Sequence, residues 1–244
     1  MALAFMAGLW TASRRAVRDN VAPESIMDLG PWLILGTIVG ARALYVLTFW
    51  NDQFAGRPIA EVFKVWQGGL VFYGGLIGAT LAGAAYIHYK KLPLWKVADI
   101  VAPSIALGYV FGRIGCLLNG CCYGRKCDLP WAIRFPPGHE THPQGAPAIP
   151  VHPTEIYDSL LNLGFYVLLA WLYRRKKFDG QVFGTYLIGY ALLRSFVELF
   201  RGDYPPYQHY LGGWATPAQL VSIGILAAGL VLIATLRRTP AKQH

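Results

Sequence analysis

The feature that most constrains this chain is a series of long apolar segments. A helix rises about 1.5 Å per residue, so about 20 apolar residues span the ~30 Å hydrocarbon core of a bilayer. The 244-residue sequence is 55% hydrophobic and only 14% charged, whereas typical soluble domains are about 25% charged. We therefore predict an all-α, polytopic membrane protein with about seven transmembrane helices and no internal repeat. The segments cover residues 2–12, 29–49, 70–89, 95–118, 159–173, 182–200 and 218–236.

The first segment is too short to cross the core. Arg14 and Arg15 follow it, and this is the wrong end for the basic region of a signal peptide. We expect a truncated first span, with residues missing before Met1. Residues 1–244 are otherwise predicted to form one membrane domain.

Basic residues cluster after every second apolar segment, and the net charge is +9. On a soluble protein this excess would suggest nucleic acid, but here the alternation follows the positive-inside rule, so no nucleic-acid partner is predicted. The rule places the C-terminus in the cytoplasm and the longer connections, with the chemistry they carry, on the outer face. The clusters lie at residues 14–18, 90–91, 174–177 and 237–242.

Several ionisable residues lie inside apolar segments. A charge at mid-bilayer costs roughly 2.5–3.5 kcal/mol on insertion scales. We therefore expect these side chains to face one another or a water-filled cavity. They are Arg42, Asp99, Arg113, Arg194 and Glu198.

The segment 182–200 carries a polar array. Tyr190, Arg194, Glu198 and Arg201 are spaced four, four and three residues apart, which places them on one face of a helix. One interpretation is an internal ion pair that locks two helices together. The other is an anion pocket, because the planar guanidinium fork suits phosphate.

Glycines surround two further candidate groups. Arg113 lies between glycines at the end of a predicted helix, where it either reaches a ligand head group or anchors the helix at the interface. Gly74 and Gly75 have the small-residue spacing of close helix packing. Tyr73, just before them, is an interfacial aromatic or a site residue.

The four cysteines lack the paired spacing of a zinc site, so no metal is predicted. On an oxidising outer face, a Cys122–Cys127 or Cys121–Cys127 disulfide remains open. No histidine shares their motif, which disfavours a cysteine nucleophile.

Three histidines, His139, His142 and His152, share a loop rich in Pro and Gly, which favours a solvated loop over a metal site. His152 differs from the other two, because the stretch from His152 to Asp158 opens the segment 159–173, with Pro153 at a position suited to a first helical turn.

These motifs, taken in order, resemble the bacterial prolipoprotein diacylglyceryl transferase family. The resemblance covers nearly the whole chain. It rests on Gly8-Leu9-Trp10, Gly40-Ala41-Arg42, Tyr73-Gly74-Gly75-Leu76-Ile77-Gly78, Val97-Ala98-Asp99, Gly112-Arg113-Ile114-Gly115 through Asn119-Gly120 to Gly124-Arg125, His152-Pro153-Thr154-Glu155-Ile156-Tyr157, and Tyr190, Arg194, Glu198 and Arg201.

The resemblance implies a reaction in the bacterial cytoplasmic membrane. The diacylglyceryl group of phosphatidylglycerol moves to the lipobox cysteine thiol of a preprolipoprotein signal peptide, a thioether forms, and glycerol 1-phosphate leaves. No metal or nucleotide cofactor is implied. The implied catalytic residues are Arg113, Arg194, Tyr73, Tyr190 and Glu198. The implied substrate-binding residues are Arg113, Arg194, Gly74, Gly75, Asn119, Gly124, Arg201 and His152.

The sequence departs from the family pattern at three positions. Many members carry a histidine, proposed as the base, where this chain has Tyr73. Many carry Asn and Glu where it has Cys116 and Cys121. A phenol with a pKa near 10 is a poor base at pH 7, so we expect Tyr73 to orient the lipid or the thiol. The alternatives are a phospholipid or anion transporter, and a non-catalytic paralogue that binds lipid or signal peptides.

Overall fold

A computed structural model describes residues 2–202 and 216–238. Within them the chain is helical and forms no β-strand, which confirms the all-α prediction. Four of the helices, α2, α4, α5 and α7, are long and apolar enough to cross a membrane by length and composition. The number of seven spans stays a prediction. The helices are α1 (Ala2–Arg18), α2 (Pro23–Thr48), α3 (Phe72–Tyr89), α4 (Leu94–Asn119), α5 (Thr154–Tyr173), α6 (Gln181–Glu198) and α7 (Pro217–Arg238).

Helix α5 begins earlier than the apolar pattern indicates. Pro153 precedes its first residue, Thr154, and its first turns are polar. The buried carboxylates Glu155 and Asp158 therefore lie inside the helix rather than in the loop before it. Helix α6 ends at Glu198, so Arg201 lies beyond the helix and not on its face as predicted.

The chain divides into two compact units. One comprises Met1–Ala12 and Ala98–His244, and the other Ser13–Val97. The single-domain prediction stays a prediction. In the first unit, Thr11 of α1 shares a hydrogen bond of 2.9 Å with Ser104 of α4.

In the second unit, α2 and α3 pack through glycines. A Cβ atom at Gly40 would lie 2.7 Å from the Cα of Gly78, and one at Gly36 would lie 2.6 Å from the Cβ of Ala82. Such distances leave no room for a side chain between the two backbones. The packing interpretation of this glycine pattern is confirmed.

Arg42 in α2 binds the loop between α2 and α3 rather than another charge. Its guanidinium donates to the carbonyl oxygens of Val62 (2.7 Å), Glu61 (2.7 Å) and Gly68 (2.8 Å). The side chain also lies 5.5 Å from the ring centroids of Tyr45 and Phe54. Our expectation that Arg42 faces a charged partner or water is therefore wrong, because backbone carbonyls solvate it.

In the first unit, α4 and α6 run parallel. At one end, Asp99 of α4 accepts hydrogen bonds of 2.9 Å from the amides of Gly180 and Phe183 at the start of α6. Lys176 lies 3.4 Å from the same carboxylate. At the other end, the amide of Arg125, beyond α4, donates to the carbonyl of Phe200, beyond α6 (2.9 Å). Asp99 therefore stabilises the fold at the end of α4 opposite Arg113.

Candidate active site

The centre of the candidate site is a buried ion pair between α4 and α5. The Nε atom of Arg113 lies 2.7 Å from Oδ2 of Asp158, whose side chain is 3% exposed. The Tyr109 hydroxyl donates to the same carboxylate oxygen (3.2 Å) and accepts a hydrogen bond from Arg113. Asn162, one turn along α5, donates to Oδ1 (2.9 Å). The carboxylate therefore orients the guanidinium.

Helix α6 contributes a second ion pair. Arg194 Nη2 lies 2.8 Å from Oε2 of Glu198, one turn later, and the glutamate side chain is fully buried. One turn before Arg194, the Tyr190 ring packs edge-on against the Tyr109 ring, with centroids 6.0 Å apart. The polar face predicted for this segment therefore exists as far as Glu198 and faces the Arg113 cluster.

Asp158 joins the two helices electrostatically. Besides its contact with Arg113, it interacts with the charges of Arg194 and Arg201. Three arginines, from α4, α6 and the turn after α6, thus lie near one carboxylate of α5, which Arg113 contacts directly. This convergence is what the sequence argument for an anion site required.

The loop after α4 forms hydrogen bonds with the segment before α5 and with the segment after α6. The Gly124 amide donates to the carbonyl of His152 (2.9 Å), and Arg125 donates to the carbonyls of Arg201 and Leu199. A Cβ atom at Gly124 would lie 2.5 Å from the Cβ of His152. Close packing accounts for this glycine.

An apolar pocket of about 350 Å³ lies next to His152. His152 forms part of its wall and shares a hydrogen bond of 3.3 Å with the Tyr157 hydroxyl. The pocket suits an apolar group, because aliphatic and aromatic carbons make up most of its wall. Its lining residues are Leu129, Trp131, His152, Tyr157, Phe196, Val197 and Phe200.

Comparisons with known proteins identify the family of this chain. The family model for prolipoprotein diacylglyceryl transferase matches residues 1–235. The chain belongs to the prolipoprotein diacylglyceryl transferase family. A relative from Synechococcus elongatus, named phosphatidylglycerol–prolipoprotein diacylglyceryl transferase, is 37% identical over 98% of this chain and 83% of its own length.

Two further relatives carry the same name. One, from Thermosynechococcus vestitus, is 34% identical over 94% of this chain and 83% of its own length. The other, from Solidesulfovibrio magneticus, is 35% identical over 98% of this chain and 86% of its own length. Together with the apolar helices, these matches make the chain a multi-pass bacterial membrane protein.

The other residues implied by the transferase family resemblance lie at the start of α3 and at the end of α4. Tyr73, 49% exposed, is the second residue of α3 in the second unit. Gly74 and Gly75 follow it and pack against α2, where a Cβ at Gly74 would lie 2.6 Å from the Cβ of Leu44. Asn119, the last residue of α4, is exposed. Their roles in substrate binding stay predictions.

Three residues that hold the candidate site together were not identified from the sequence. They are Tyr109, Asp158 and Asn162. Asp158 lies just before the predicted segment 159–173, so it was not counted among the intramembrane charges. Pro153, which suits a first helical turn, was the signal that placed Asp158 inside the helix. Tyr109 and Asn162 carry no charge and gave no signal in an apolar segment.

The cysteines and histidines of the outer loop differ from our expectations. All four cysteines are free thiols, so neither proposed disulfide forms. His139 Nε2 lies 2.6 Å from the Gly120 carbonyl oxygen, and its ring stacks on Phe135 at 4.2 Å. His142 Nδ1 lies 2.9 Å from the Phe135 carbonyl oxygen. These two histidines bind the loop backbone.

Proposed function

We infer that this chain transfers the diacylglyceryl group of phosphatidylglycerol to the cysteine thiol of a prolipoprotein and releases glycerol 1-phosphate. The observation that carries the proposal is the contact of Arg113 with Asp158, whose carboxylate also interacts with the charges of Arg194 and Arg201. Membership of the transferase family and the names of the relatives support it. This would be the first step of lipoprotein maturation.

The charge of the cluster suits the donor. The three arginines, with Asp158 and Glu198, carry one net positive charge when all five groups are ionised. A phosphodiester carries one negative charge, so the cluster is complementary to a bound phosphatidylglycerol. Carboxylates hold Arg113 and Arg194 in place, and the planar guanidinium fork suits the oxygens of a phosphate.

The reaction raises the negative charge on the phosphate. The acceptor thiolate forms a bond to the glyceryl carbon that bears the phosphate, and the carbon–oxygen bond breaks. The oxygen leaves with the electron pair, so the phosphate goes from a monoanion to a dianion while the thiolate becomes a neutral thioether. Preorganised guanidinium groups stabilise this developing charge more than they stabilise the bound lipid.

The remaining site residues are proposed to position these groups. Glu198 orients Arg194 through their 2.8 Å contact. Tyr190 packs against Tyr109, which in turn contacts Arg113. Tyr73 is proposed to orient the lipid or the acceptor thiol. The acceptor is a signal peptide with a lipobox cysteine, and the positive-inside rule places this chemistry at the outer leaflet with the C-terminus in the cytoplasm.

The test is release of glycerol 1-phosphate by the purified protein in detergent micelles containing phosphatidylglycerol and a lipobox peptide. We expect Arg194→Ala to lower turnover about 10²–10³-fold, as loss of one preorganised charged donor does elsewhere. Arg194→Lys keeps the charge without the planar fork and should fall in between. Arg174→Ala is the matched control, since this exposed arginine lies in the basic turn after α5.

Thermal unfolding of each variant in the same micelles separates lost chemistry from lost folding. Normal turnover by folded Arg194→Ala would overturn the proposal. Release of no glycerol phosphate by the native chain would favour the non-catalytic paralogue. Movement of labelled phospholipid across liposomes without any product would favour the transporter.

A further inference from the structure

Three of the four cysteines come together at the end of α4. Cys116 lies in the last turn of the helix, and Cys121 and Cys122 lie in the loop that follows. Their three sulfur atoms lie within 4.8 Å of one another, and all three residues are partly buried. Among the described residues, the group comprises these three cysteines and does not include the fourth, Cys127. We refer to Cys116, Cys121 and Cys122 as the thiol cluster.

The backbone holds the thiol cluster in place. Gly120 and Cys122 both have φ of +70°, so the chain turns back after α4, and the Cys121 amide donates to the Cys116 carbonyl (3.1 Å). The Thr154 hydroxyl at the start of α5 donates to the Cys122 carbonyl (2.7 Å). A left-handed conformation is unfavourable for a residue other than glycine. Contacts with α5 thus maintain a loop conformation that brings the three sulfurs together.

The arrangement suits a thiophilic metal ion. Three thiolates at the usual zinc–sulfur distance of about 2.3 Å, in a trigonal set, have sulfur atoms about 4 Å apart. The three sulfurs need to move by less than about 1 Å to reach this geometry. Three protein ligands leave a fourth tetrahedral position open, which is the pattern of a catalytic rather than a structural zinc site.

The thiol cluster also adjoins the proposed phosphate site. Cys116 follows Arg113 by three residues on α4, which is about 4.5 Å along the helix axis. Cys116 interacts electrostatically with Arg113, and so does Cys122. A zinc ion with three thiolates carries one negative charge, which this guanidinium stabilises. A ligand in the fourth position would therefore lie beside the phosphodiester.

We propose that the thiol cluster binds one zinc ion whose fourth ligand is the acceptor cysteine thiol. The inference rests on the transferase proposed above, and it departs from the implied absence of a cofactor. The acceptor thiol loses its proton to solvent on binding zinc. Its sulfur then bonds to the glyceryl carbon, glycerol 1-phosphate leaves with the electron pair, and the weakly binding thioether is replaced by water. This supplies a thiolate in a chain that has Tyr73 in place of the family histidine.

Cobalt is the probe for metal binding, because a thiolate–cobalt charge-transfer band reports the number of sulfur ligands. The full chain is purified reduced and without oxygen in detergent micelles and titrated with Co²⁺. We expect one ion per chain, with a weaker band in Cys116→Ser, Cys121→Ser and Cys122→Ser. Cys127→Ser is the matched control and should resemble the native chain. A native chain without the band, or a band unaffected by the three substitutions, would overturn the site.

The lipobox peptide tests the fourth position. Its addition to the cobalt-loaded chain should increase the band by one thiolate, whereas a peptide with serine in place of the cysteine should not. An unchanged band with the cysteine peptide would overturn the proposed ligand. Because this measurement needs no turnover, it can succeed even where the transferase proposal fails.

Turnover of phosphatidylglycerol gives a second readout. A free thiol with a pKa near 8.5 is about 3% ionised at pH 7, so metal removal should slow transfer up to about 30-fold at pH 7, and the effect should shrink as the pH rises, to about twofold at pH 8.5. Zinc should restore the rate. Full turnover by the metal-free chain at pH 7 would overturn thiol activation by zinc and leave the transferase proposal intact.

Discussion

At the scale of single residues, each intramembrane charge is stabilised in a different way. Arg42 donates hydrogen bonds to backbone carbonyls, and Asp99 accepts hydrogen bonds from amides at the start of α6. Arg113 forms an ion pair with Asp158. Arg194 pairs with Glu198 on its own helix. Arg42 and Asp99 hold structural elements together, whereas Arg113 and Arg194 belong to the arginine cluster near Asp158. A charged residue inside an apolar segment is therefore important to the protein, but its presence does not show whether it stabilises the fold or takes part in the reaction.

Asp158 offers a test of how much the central ion pair stabilises the fold. Breaking a buried pair by removing one partner typically costs roughly 3–5 kcal/mol, because the other charge stays buried. We expect Asp158→Ala to lose stability of this order. Asp158→Asn should lose less, since its side-chain oxygen can still accept the Arg113 hydrogen bond.

The measurement is unfolding of each variant in detergent micelles. Asp128→Ala, which removes an exposed loop carboxylate, is the control and should stay within about 0.5 kcal/mol of the native chain. Equal stability of Asp158→Ala and the native chain would mean that Arg113 does not depend on this partner.

At the scale of elements, close backbone contact and loop closure determine the positions of the helices. Helices α2 and α3 approach through glycines, and the ends of α4 and α6 are joined by the loop crossing at Gly124. Without side chains between the backbones, packing is tight and intolerant of added volume. Substituting one of these glycines by alanine, which adds a single methyl group, therefore tests how closely the backbones approach.

Gly78→Ala and Gly164→Ala should change stability in opposite directions. A Cβ at position 78 would lie 2.8 Å from the Cα of Gly40, whereas one at position 164 meets nothing within 4 Å. Overpacking typically costs about 1–3 kcal/mol, while alanine in an open helical position gains up to about 1 kcal/mol over glycine. Unfolding in micelles measures both. Stabilisation by Gly78→Ala would contradict the close contact of α2 with α3.

At the scale of the whole molecule, charge predicts orientation. The basic clusters of this chain, whose net charge is +9, lie at the C-terminal ends of α1 and α7 and directly after α3 and α5. Within the first unit, the parallel course of α4 and α6 agrees with alternate crossing of the membrane by α4, α5 and α6. On this prediction, the arginine cluster lies toward the outer end of these helices.

Reporter fusions test this orientation. A fluorescent protein fused after His244 should fluoresce, because it folds in the cytoplasm. Alkaline phosphatase inserted after the exposed Gln144 should be active, because it requires the oxidising outer side. The reverse pattern, with phosphatase activity at the C-terminus and none in the loop, would invert the topology and place the site at the inner leaflet.

The helical segments, the family and the predicted arginines of the phosphate site follow from the amino-acid sequence alone. These follow from local properties: apolar length, the spacing of Tyr190, Arg194 and Glu198 along a helix, and ordered motifs. Two helices begin before their apolar segments, α2 at Pro23 and α5 at Thr154, because polar first turns resemble a loop when burial is unknown.

Only the tertiary structure decided which groups pair. Arg113 meets Asp158 across 45 positions of sequence, Arg42 meets loop carbonyls, and three cysteines without zinc-like spacing come within 4.8 Å. The physical reason is that a buried polar group must find a partner, but the choice of partner depends on which helix faces and loops meet. Spacing along a single helix contains no information about that choice.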